Sequence, residues 1–531
     1  MARTPLFRKL VLALQDARRD HLQAQDLPPV IAYKDAHWTR RKFMQTTAAL
    51  GMAGLVEGCA AFPAIGSKSD KAPKIVIIGA GLAGMNAAYR LKKAQITATV
   101  YEARTRVGGR VLSATLGEGL IVDLGAELIN TDHADMLDLV QEFGIGLFDK
   151  LEDVAKLAAP KEAYYFNGIS HSESELADDL RLIAAQITAD AALLDQDWDA
   201  YAPPLDRLSV ADYLRQHHDK IPRPYVHELL ADVIRTEFGV ELHESSALQL
   251  IATLPVVSGQ AVDLLSYSDE VYSVVGGSAK ITEALAAKLE GQIHLGKRLQ
   301  AINTQGSGYR LKFADTTTVD ADIVIIAIPF PVLSKIALDV PLPKLLRQFI
   351  DEAKLGSNEK LIAGFSKRFW RKPGGFSLSA WSDSAYSEVW DETQRQAERK
   401  DGALNFFLGG DQARQLGAVS DIKKLGYQFV AALERFIPGA GRAANGDFAS
   451  SGWTRSSQTL GGYASYKPGQ LTRFGELLWL ESDNPDERQQ VSFGNLIFAG
   501  EHLSDAYYGF MNGAAQTGRL AAMLIIEKLS A

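Results

Sequence analysis

Three glycines in the spacing Gly79-x-Gly81-x-x-Gly84 interrupt the apolar stretch "KIVIIGAGLAGMNAAYRL" that starts at Lys74. This arrangement suits a phosphate. Gly79 permits a tight turn, Gly81 lets the backbone around Ala80 approach a pyrophosphate, and Gly84 lets a helix pack closely on a strand. Glu102 follows about 20 residues later, where a carboxylate accepts hydrogen bonds from ribose hydroxyls and disfavours a 2′-phosphate. The ligand these residues predict is a dinucleotide, NAD or FAD.

Such residues work only if a strand, a turn and a helix hold them. Lys74 to Ile78 is β-branched and apolar, as a buried parallel strand is. Met85 to Lys93 has a helical pattern, and "ATVYEA" is a second strand that ends at Glu102. The diphosphate then rests on the helix N-terminus. Rival chemistry is weakly represented: neither a Ser-His-Asp set nor a metal-ligand set stands out, and His217 and His218 are neighbours on a predicted helix, facing different ways. Cys59 is the single cysteine, which excludes an intrachain disulfide and a thiolate metal cluster.

The chain has 531 residues, 47% hydrophobic and 23% charged, enough to bury a large core over two or more intertwined domains. A net charge of -8 and a pI near 5.8 argue against a nucleic-acid partner. Ahead of the glycines, "TRRKFM" from Thr39, the uncharged "QTTAALGMAGLV" and a small-residue zone form the basic, apolar and cleavage regions of an export signal. Arg40-Arg41 resemble the twin-arginine type, which implies the twin-arginine export machinery as a partner and a periplasmic or secreted protein. The apolar region is shorter than the about 20 residues that span a bilayer, so cleavage releases a soluble protein unless Cys59 is lipidated as an anchor. Gly58 precedes Cys59 as in a lipoprotein signal, whereas Glu57 stands where a small uncharged residue is expected. The expected segments are a leader of unassigned role (1–38), the signal (39–64) and a linker (65–73).

The segment that begins at Glu102 separates the two cofactors. "EARTRVGGR", containing Ala103, Arg104 and Arg110, resembles the second fingerprint of the flavin-containing amine oxidase family, which includes monoamine oxidases and L-amino-acid oxidases. The family's last segment resembles "GNLIFAGEHLSDAYYGFMNGAAQTGRLAAMLI" from Gly494. By that resemblance Arg110 helps neutralise the FAD diphosphate, Gly500-Glu501 contact the ribityl chain, and Phe510, between Gly509 and Met511, faces the substrate. Tyr507 and Tyr508 read as loop packing. Lys360, in "LGSNEKLIAGFSKRFWRK", matches a lysine that holds a water against flavin N5; taken by itself it reads as a solvent-facing strand lysine. Trp453 and Tyr463 stand ten apart as in monoamine oxidases, and Tyr463 with Phe510 would flank the amine. "VVGGSAKITEALAAKL" and "GKRLQAI" resemble the return into the FAD domain, with the backbone near Leu299 against adenine, and "ADIVIIAIPFPVL" is a buried strand ending in a proline turn.

The resemblance implies an α/β fold: a discontinuous, Rossmann-like FAD-binding domain of the glutathione-reductase type (74–150, 271–350 and 456–531) with an interleaved α+β substrate domain (151–270 and 351–455). It is thinnest over 151–270, a helix-rich insert with "SVADYLRQHHDK". Gly462 replaces the cysteine that tethers FAD in monoamine oxidases, so FAD is expected to bind non-covalently. Many L-amino-acid oxidases carry an arginine for the substrate carboxylate in a turn that here reads Gly125-Ala126-Glu127-Leu128. The substrate therefore stays open between an L-amino acid, whose carboxylate Arg235 could reach, and a primary amine or polyamine steered by Glu127 or the acidic surface. The implied reaction removes hydride from the carbon α to nitrogen, hydrolyses the imine to an aldehyde or 2-oxo acid plus ammonia, and returns two electrons to O2 as hydrogen peroxide, with Lys360 supplying positive charge. A flavin desaturase or dehydrogenase with another acceptor, and an inactive FAD-binding protein, are the rival classes; whether the chain is a monomer or a homodimer is open.

Overall fold

The structure, a computed structural model, describes residues 72–530 apart from 418 and 483. The leader, Arg40-Arg41 and Cys59 lie outside the described residues.

Ile75–Ile78 is buried along its whole length and forms the middle of a six-stranded sheet. Parallel partners flank it on both sides, Ala98–Tyr101 and Ile323–Ile326, and the sheet extends through Ile293–His294 at one edge and Leu496–Phe498 with antiparallel Ser492–Phe493 at the other. Strands buried on both faces must be covered by helices. One cover is Leu82–Lys93, which begins three residues earlier than its apolar pattern suggests, because a helix N-terminus can face the glycine turn only if it starts directly after Gly81. Arg90, Lys92 and Lys93 in its last turn complement the helix dipole.

The C-terminal helix Met511–Ser530 lies against this first helix, and Asn86 Nδ2 donates to the Ala515 carbonyl at 2.7 Å. Small residues allow the contact: a Cβ on Gly518 would stand 2.2 Å from the Ala83 carbonyl oxygen, and one on Gly84 would stand 2.0 Å from that of Gly79. The end of the chain is thus fastened to its glycine loop, which explains the Gly/Ala face of the last helix.

A second, seven-stranded sheet runs in the order Ala444–Ser450, Asn358–Phe365, Gly402–Gly409, Glu388–Asp391, Ser379–Ser382, Glu162–Phe166, Ile169–His171. Its pairing is antiparallel except between Ser379–Ser382 and Glu162–Phe166. Against it packs a group of helices that includes Glu173–Gln196, Pro224–Phe238 and Ala247–Thr253. Ser172 and Glu175 close the first of these with a reciprocal capping box. Val210–Gln216 is also helical, but the helix stops before the paired histidines: His217 is its C-cap and His218 opens a 3-10 turn. Pro222 and Pro224 come next, and the residue before a proline is pushed out of the helical region, so the expected helix through both histidines does not form.

Buried apolar side chains gather around the parallel sheet from 75–140, 274–350 and 466–525, within the helical group from 164–264 with Trp381, and on one face of the large sheet from 361–443. Among the described residues no helix is long and apolar enough to cross a membrane, and no group of three or more His, Cys, Asp or Glu could hold a metal ion.

Candidate active site

A cavity of about 730 Å³ opens between the parallel sheet, the large sheet and the helical group. At its dinucleotide end the backbone is drawn together by Glu102. One carboxylate oxygen accepts the Ala80 N–H and the other the Arg104 N–H, both at 2.8 Å, so the side chain ties the glycine loop to the second fingerprint. Ala80 in turn accepts the Gly108 N–H at 2.8 Å. A Cβ on Gly109, where φ is +59°, would lie 3.2 Å from the Gly81 Cα, so the second fingerprint needs glycine there to pass the loop. Gly79, Gly81, Glu102, Ala103, Arg104 and Arg110 all line the cavity; Ala80 and Gly84 stand behind them as supports. Gly125, Ala126, Glu127, Leu128 and Leu299 line it as well, as do Gly500, Glu501 and Met511.

Arg110 and Glu501 are expected to contact different parts of a cofactor, and the structure also joins them to each other, Nη1 to Oε1 at 2.7 Å. The other Glu501 oxygen accepts the N–H groups of Gly509 at 2.7 Å and Ala464 at 3.3 Å, which sets the turns that carry Phe510 and Tyr463. Burial opposes the Glu501 charge, yet Arg110 and the Gly509 N–H hold its carboxyl below the usual range. His502 lines the cavity beside it, and burial lowers its imidazole to about 4, so the ring is neutral. Neither of its ring nitrogens has a hydrogen-bond partner among the described residues. A glycine cradle that admits no side chain and a buried imidazole with free nitrogens fit a bound dinucleotide, whose phosphates and hydroxyls would pair with them.

Lys360 is not the solvent-facing lysine that strand alternation allows. It is 6% exposed, and Nζ donates to Glu127 Oε2 at 2.8 Å and to the Asp123 carbonyl at 2.9 Å. Although burial works against the ammonium, the Glu127 carboxylate beside it raises the Lys360 pKa, and it stays charged. Register places Lys360, Phe407 and Glu388 side by side across three strands, and Lys360 sits 5.2 Å from the Trp390 ring. These pairings also correct the expectation that Glu127 steers a substrate amine. Its carboxylate is 5% exposed and engaged by Lys360, Trp390 and Arg395, so its charge is already neutralised.

The aromatic residues read from the sequence converge on one cavity. The Tyr463 hydroxyl donates to the Thr236 carbonyl, its ring lies against Gly509, and Phe510 presents an edge contact to Tyr267 at 6.0 Å. Trp453 also lines the wall, with Nε1 held by the Leu124 carbonyl at 2.9 Å and the Arg104 guanidinium 5.9 Å from its ring. Tyr507 is loop packing, its hydroxyl on the Asp132 carbonyl, whereas Tyr508 reaches the cavity wall beside Phe238.

Arg235 does not serve this site. It pairs with Asp232 and Glu241, each at 3.0 Å, and is not among the residues lining the cavity, so it cannot receive a substrate carboxylate there. Two residues on, Glu237 does line the cavity, because on a helix that step turns the side chain by about 200°. Glu270 and Glu388 join it. The sequence singles out none of the three, since each comes from a different element and acids at surface spacing are common. Glu237 accepts the Tyr267 hydroxyl, and none of the three carboxylates forms an ion pair among the described residues; Lys150 and Lys360 are the cations that act on Glu270 from a greater distance. Burial and the charge of Glu270 push Glu237 up to about 8. Burial also raises Glu270 and Glu388, the latter well above the ordinary range with the like charge of Glu270 adding to the effect. Three acids in one wall disfavour each other's ionisation, and among the described residues none has a cation within ion-pair distance.

A discontinuous dinucleotide fold, a second fingerprint and an aromatic chamber with a buried lysine define a flavoprotein that oxidises small molecules. The chain belongs to the family described as flavin containing amine oxidoreductase, which it matches over residues 82–526. Its cofactor is FAD. Among curated relatives, the putrescine oxidase of Kocuria rosea is 28% identical over 491 residues, covering 87% of this chain and 97% of the relative. The flavin-containing amine oxidase B of Canis lupus familiaris is 25% identical over 478 residues, covering 86% of both. Among solved structures, cyclohexylamine oxidase from Brevibacterium oxydans has the same fold, with a TM-score of 0.68 at 22% identity over 87% of this chain and all of that one.

Proposed function

We propose that the enzyme is an oxidase of short primary diamines. The observation that carries this reading is the unpaired carboxylate wall of Glu237, Glu270 and Glu388 inside the cavity that Lys360, Tyr463 and Phe510 also line. A diamine brings two ammonium groups, one to be oxidised and one to compensate the wall. An L-amino acid would instead bring its carboxylate toward three others, with Arg235 turned away. The relative named putrescine oxidase supports the same substrate class.

FAD, held by the Gly79–Gly81 loop, Glu102, Arg110 and Glu501, would supply the hydride acceptor and the route of two electrons to O2. The residues of this chain prepare the substrate for that transfer. The walls of Tyr463, Phe510, Tyr267 and Trp390 exclude water and disfavour the ammonium form of the reacting nitrogen, which must lose its proton before the C–H bond beside it can break. The carboxylate wall fixes the distal ammonium and so positions the reacting carbon. Lys360, paired but still charged, faces the cavity as the cation that favours charge developing on oxygen. The net reaction converts amine, O2 and water to aldehyde, ammonia and hydrogen peroxide.

The test is a peroxide assay on the purified flavoprotein with putrescine, butylamine, spermidine and a panel of L-amino acids. Putrescine should have the highest kcat/KM. A preference for any L-amino acid, or turnover only with an artificial electron acceptor, would overturn the proposal.

A further inference from the structure

Beneath Lys360 lies a cluster that the reaction does not use directly. Three carboxylates, Asp123, Glu127 and Glu392, meet two cations, Lys360 and Arg395. Every one of these side chains is at most 7% exposed. With both cations charged and all three acids ionised, the cluster would carry an uncompensated negative charge out of contact with water, an arrangement that buried groups relieve by taking up a proton.

The hydrogen bonds show which acid takes it. Burial raises the Asp123 carboxyl, yet its contacts are those of an anion: one oxygen accepts Ser113 Oγ at 2.5 Å and the Ser278 N–H at 3.0 Å, and the other accepts Arg395 Nη2 at 3.0 Å. Glu127 is likewise an anion, with Lys360 at 2.8 Å, Trp390 Nε1 at 3.3 Å and Arg395 at 3.5 Å. Glu392 differs. Its Oε1 accepts the Asp123 N–H at 2.5 Å and lies 3.5 Å from Arg395, while its Oε2 accepts no hydrogen bond and stands 3.8 Å from Lys360 Nζ.

We propose that Glu392 is a protonated acid whose Oε2 hydroxyl is shared with the Glu127 carboxylate, and that this carboxyl–carboxylate pair is the positioning device for Lys360. Two anions then balance two cations. Glu127 carries the ion pair with Lys360, and Glu392 locks Glu127 in place without competing for the ammonium. Burial and the Glu127 charge hold the Glu392 proton, and against its own burial Glu127 is brought down to about 2 by Lys360 and Arg395, with the Glu392 hydroxyl a smaller cause. The charged groups facing the pair are Asp123, Lys360 and Arg395, with Lys150 and Glu270 acting on Glu127 from farther away. Among them they account for opposite shifts in two acids of the same type.

The inference rests on Lys360 being the cation of the reacting site, so one arm of its test does not use turnover. Infrared difference spectra of the holoenzyme, reduced minus oxidised, should show the carbonyl stretch of a protonated carboxyl that moves in D2O and vanishes in Glu392→Gln. Putrescine should leave that band in place, whereas it removes any band from the Glu237, Glu270 and Glu388 wall by drawing off those protons. Loss of all carboxyl signal on adding putrescine would support the diamine reading and overturn this one. The second arm is the pH profile of flavin reoxidation in single turnover. Glu127→Gln strips the ammonium of its anion and should move the alkaline limb to lower pH, while Glu392→Gln, which copies a neutral acid, should leave that limb in place. Equal shifts in the two variants would make Glu392 an anion and refute the proposal.

Discussion

Replacing Glu237 by glutamine preserves the shape of the side chain and its contact with Tyr267 while deleting one charge from the carboxylate wall. The proposed partner of that charge is the distal ammonium of a diamine. A hydrogen bond to a charged group contributes about 1.5–3 kcal/mol, so once Glu237 is ionised its removal should lower kcat/KM for putrescine by about 10- to 100-fold. The size of the loss depends on pH in a calculable way. Glu237 titrates with Glu270 as a pair, and burial with the charge of Glu270 pushes it up to about 8. At pH 7 such an acid is ionised in only about a tenth of molecules, and the cation must expel a proton against about 1.4 kcal/mol. At pH 9 it is already an anion and that opposition has gone.

The sign comes from linkage. A cationic ligand favours the ionised acid, so diamine binding strengthens as pH rises through the raised pKa. Deprotonation of the reacting nitrogen is common to both substrates and cancels in the ratio of kcat/KM for putrescine to that for butylamine. In the wild-type enzyme that ratio should climb about tenfold between pH 7 and pH 9. In Glu237→Gln the rise should flatten, with butylamine turnover little altered. Stopped-flow flavin reduction or peroxide release measures both. A ratio that does not change with pH in the wild type, or equal losses for the two substrates in the variant, would refute the idea that the wall reads a second ammonium.

Three further outcomes test the glycine loop, the buried lysine and the export signal expected from the sequence. Lys360→Met should slow reoxidation of the reduced flavin by about 100-fold, on the scale of losing one preorganised charge, while leaving flavin reduction by amine much less affected; wild-type oxygen kinetics would remove its role. Gly81→Ala should fold normally yet lose flavin, because its Cβ would meet only the Gly109 Cα at 4.0 Å and would otherwise occupy the space kept for the pyrophosphate; full flavin content after dialysis would contradict the cradle. Replacement of Arg40-Arg41 by two lysines should hold the precursor in the cytoplasm with FAD already bound; unchanged export, read by cell fractionation, would dismiss the twin-arginine reading.

The glycine loop is legible in the sequence because its chemistry is local: a few consecutive residues bend, approach a phosphate and start a helix, and the chain itself spells out their order. Even there one duty stays unseen. Glu102 is placed by its distance from the glycines, yet the carboxylate expected to meet a ribose also fastens Ala80 to Arg104. Lys360 is legible only through family resemblance, since a strand lysine tells nothing of which face it takes. Its partner Glu127 is far along the chain and reads, from sequence, as a steering charge for the substrate.

The substrate end is illegible for a different reason. Arg235 draws attention as the lone cation of "VIRTEFG", whereas the residue that matters is two positions further, on the opposite side of the same helix. No sequence pattern brings Glu237 from a helix end, Glu270 from a loop and Glu388 from the start of an inner strand into one wall. Their proposed effect is collective, because each acid strengthens the hold of the others on a proton until a cation arrives. Three acids that repel each other create a site whose free energy falls sharply when a cation arrives. The four charged groups of the neighbouring cluster show the contrast. There, Asp123, Glu127, Lys360 and Arg395 compensate each other within the protein, and a ligand charge is not needed. An amine-binding wall is therefore recognised by the compensation it lacks, a property of the folded arrangement that no individual residue carries.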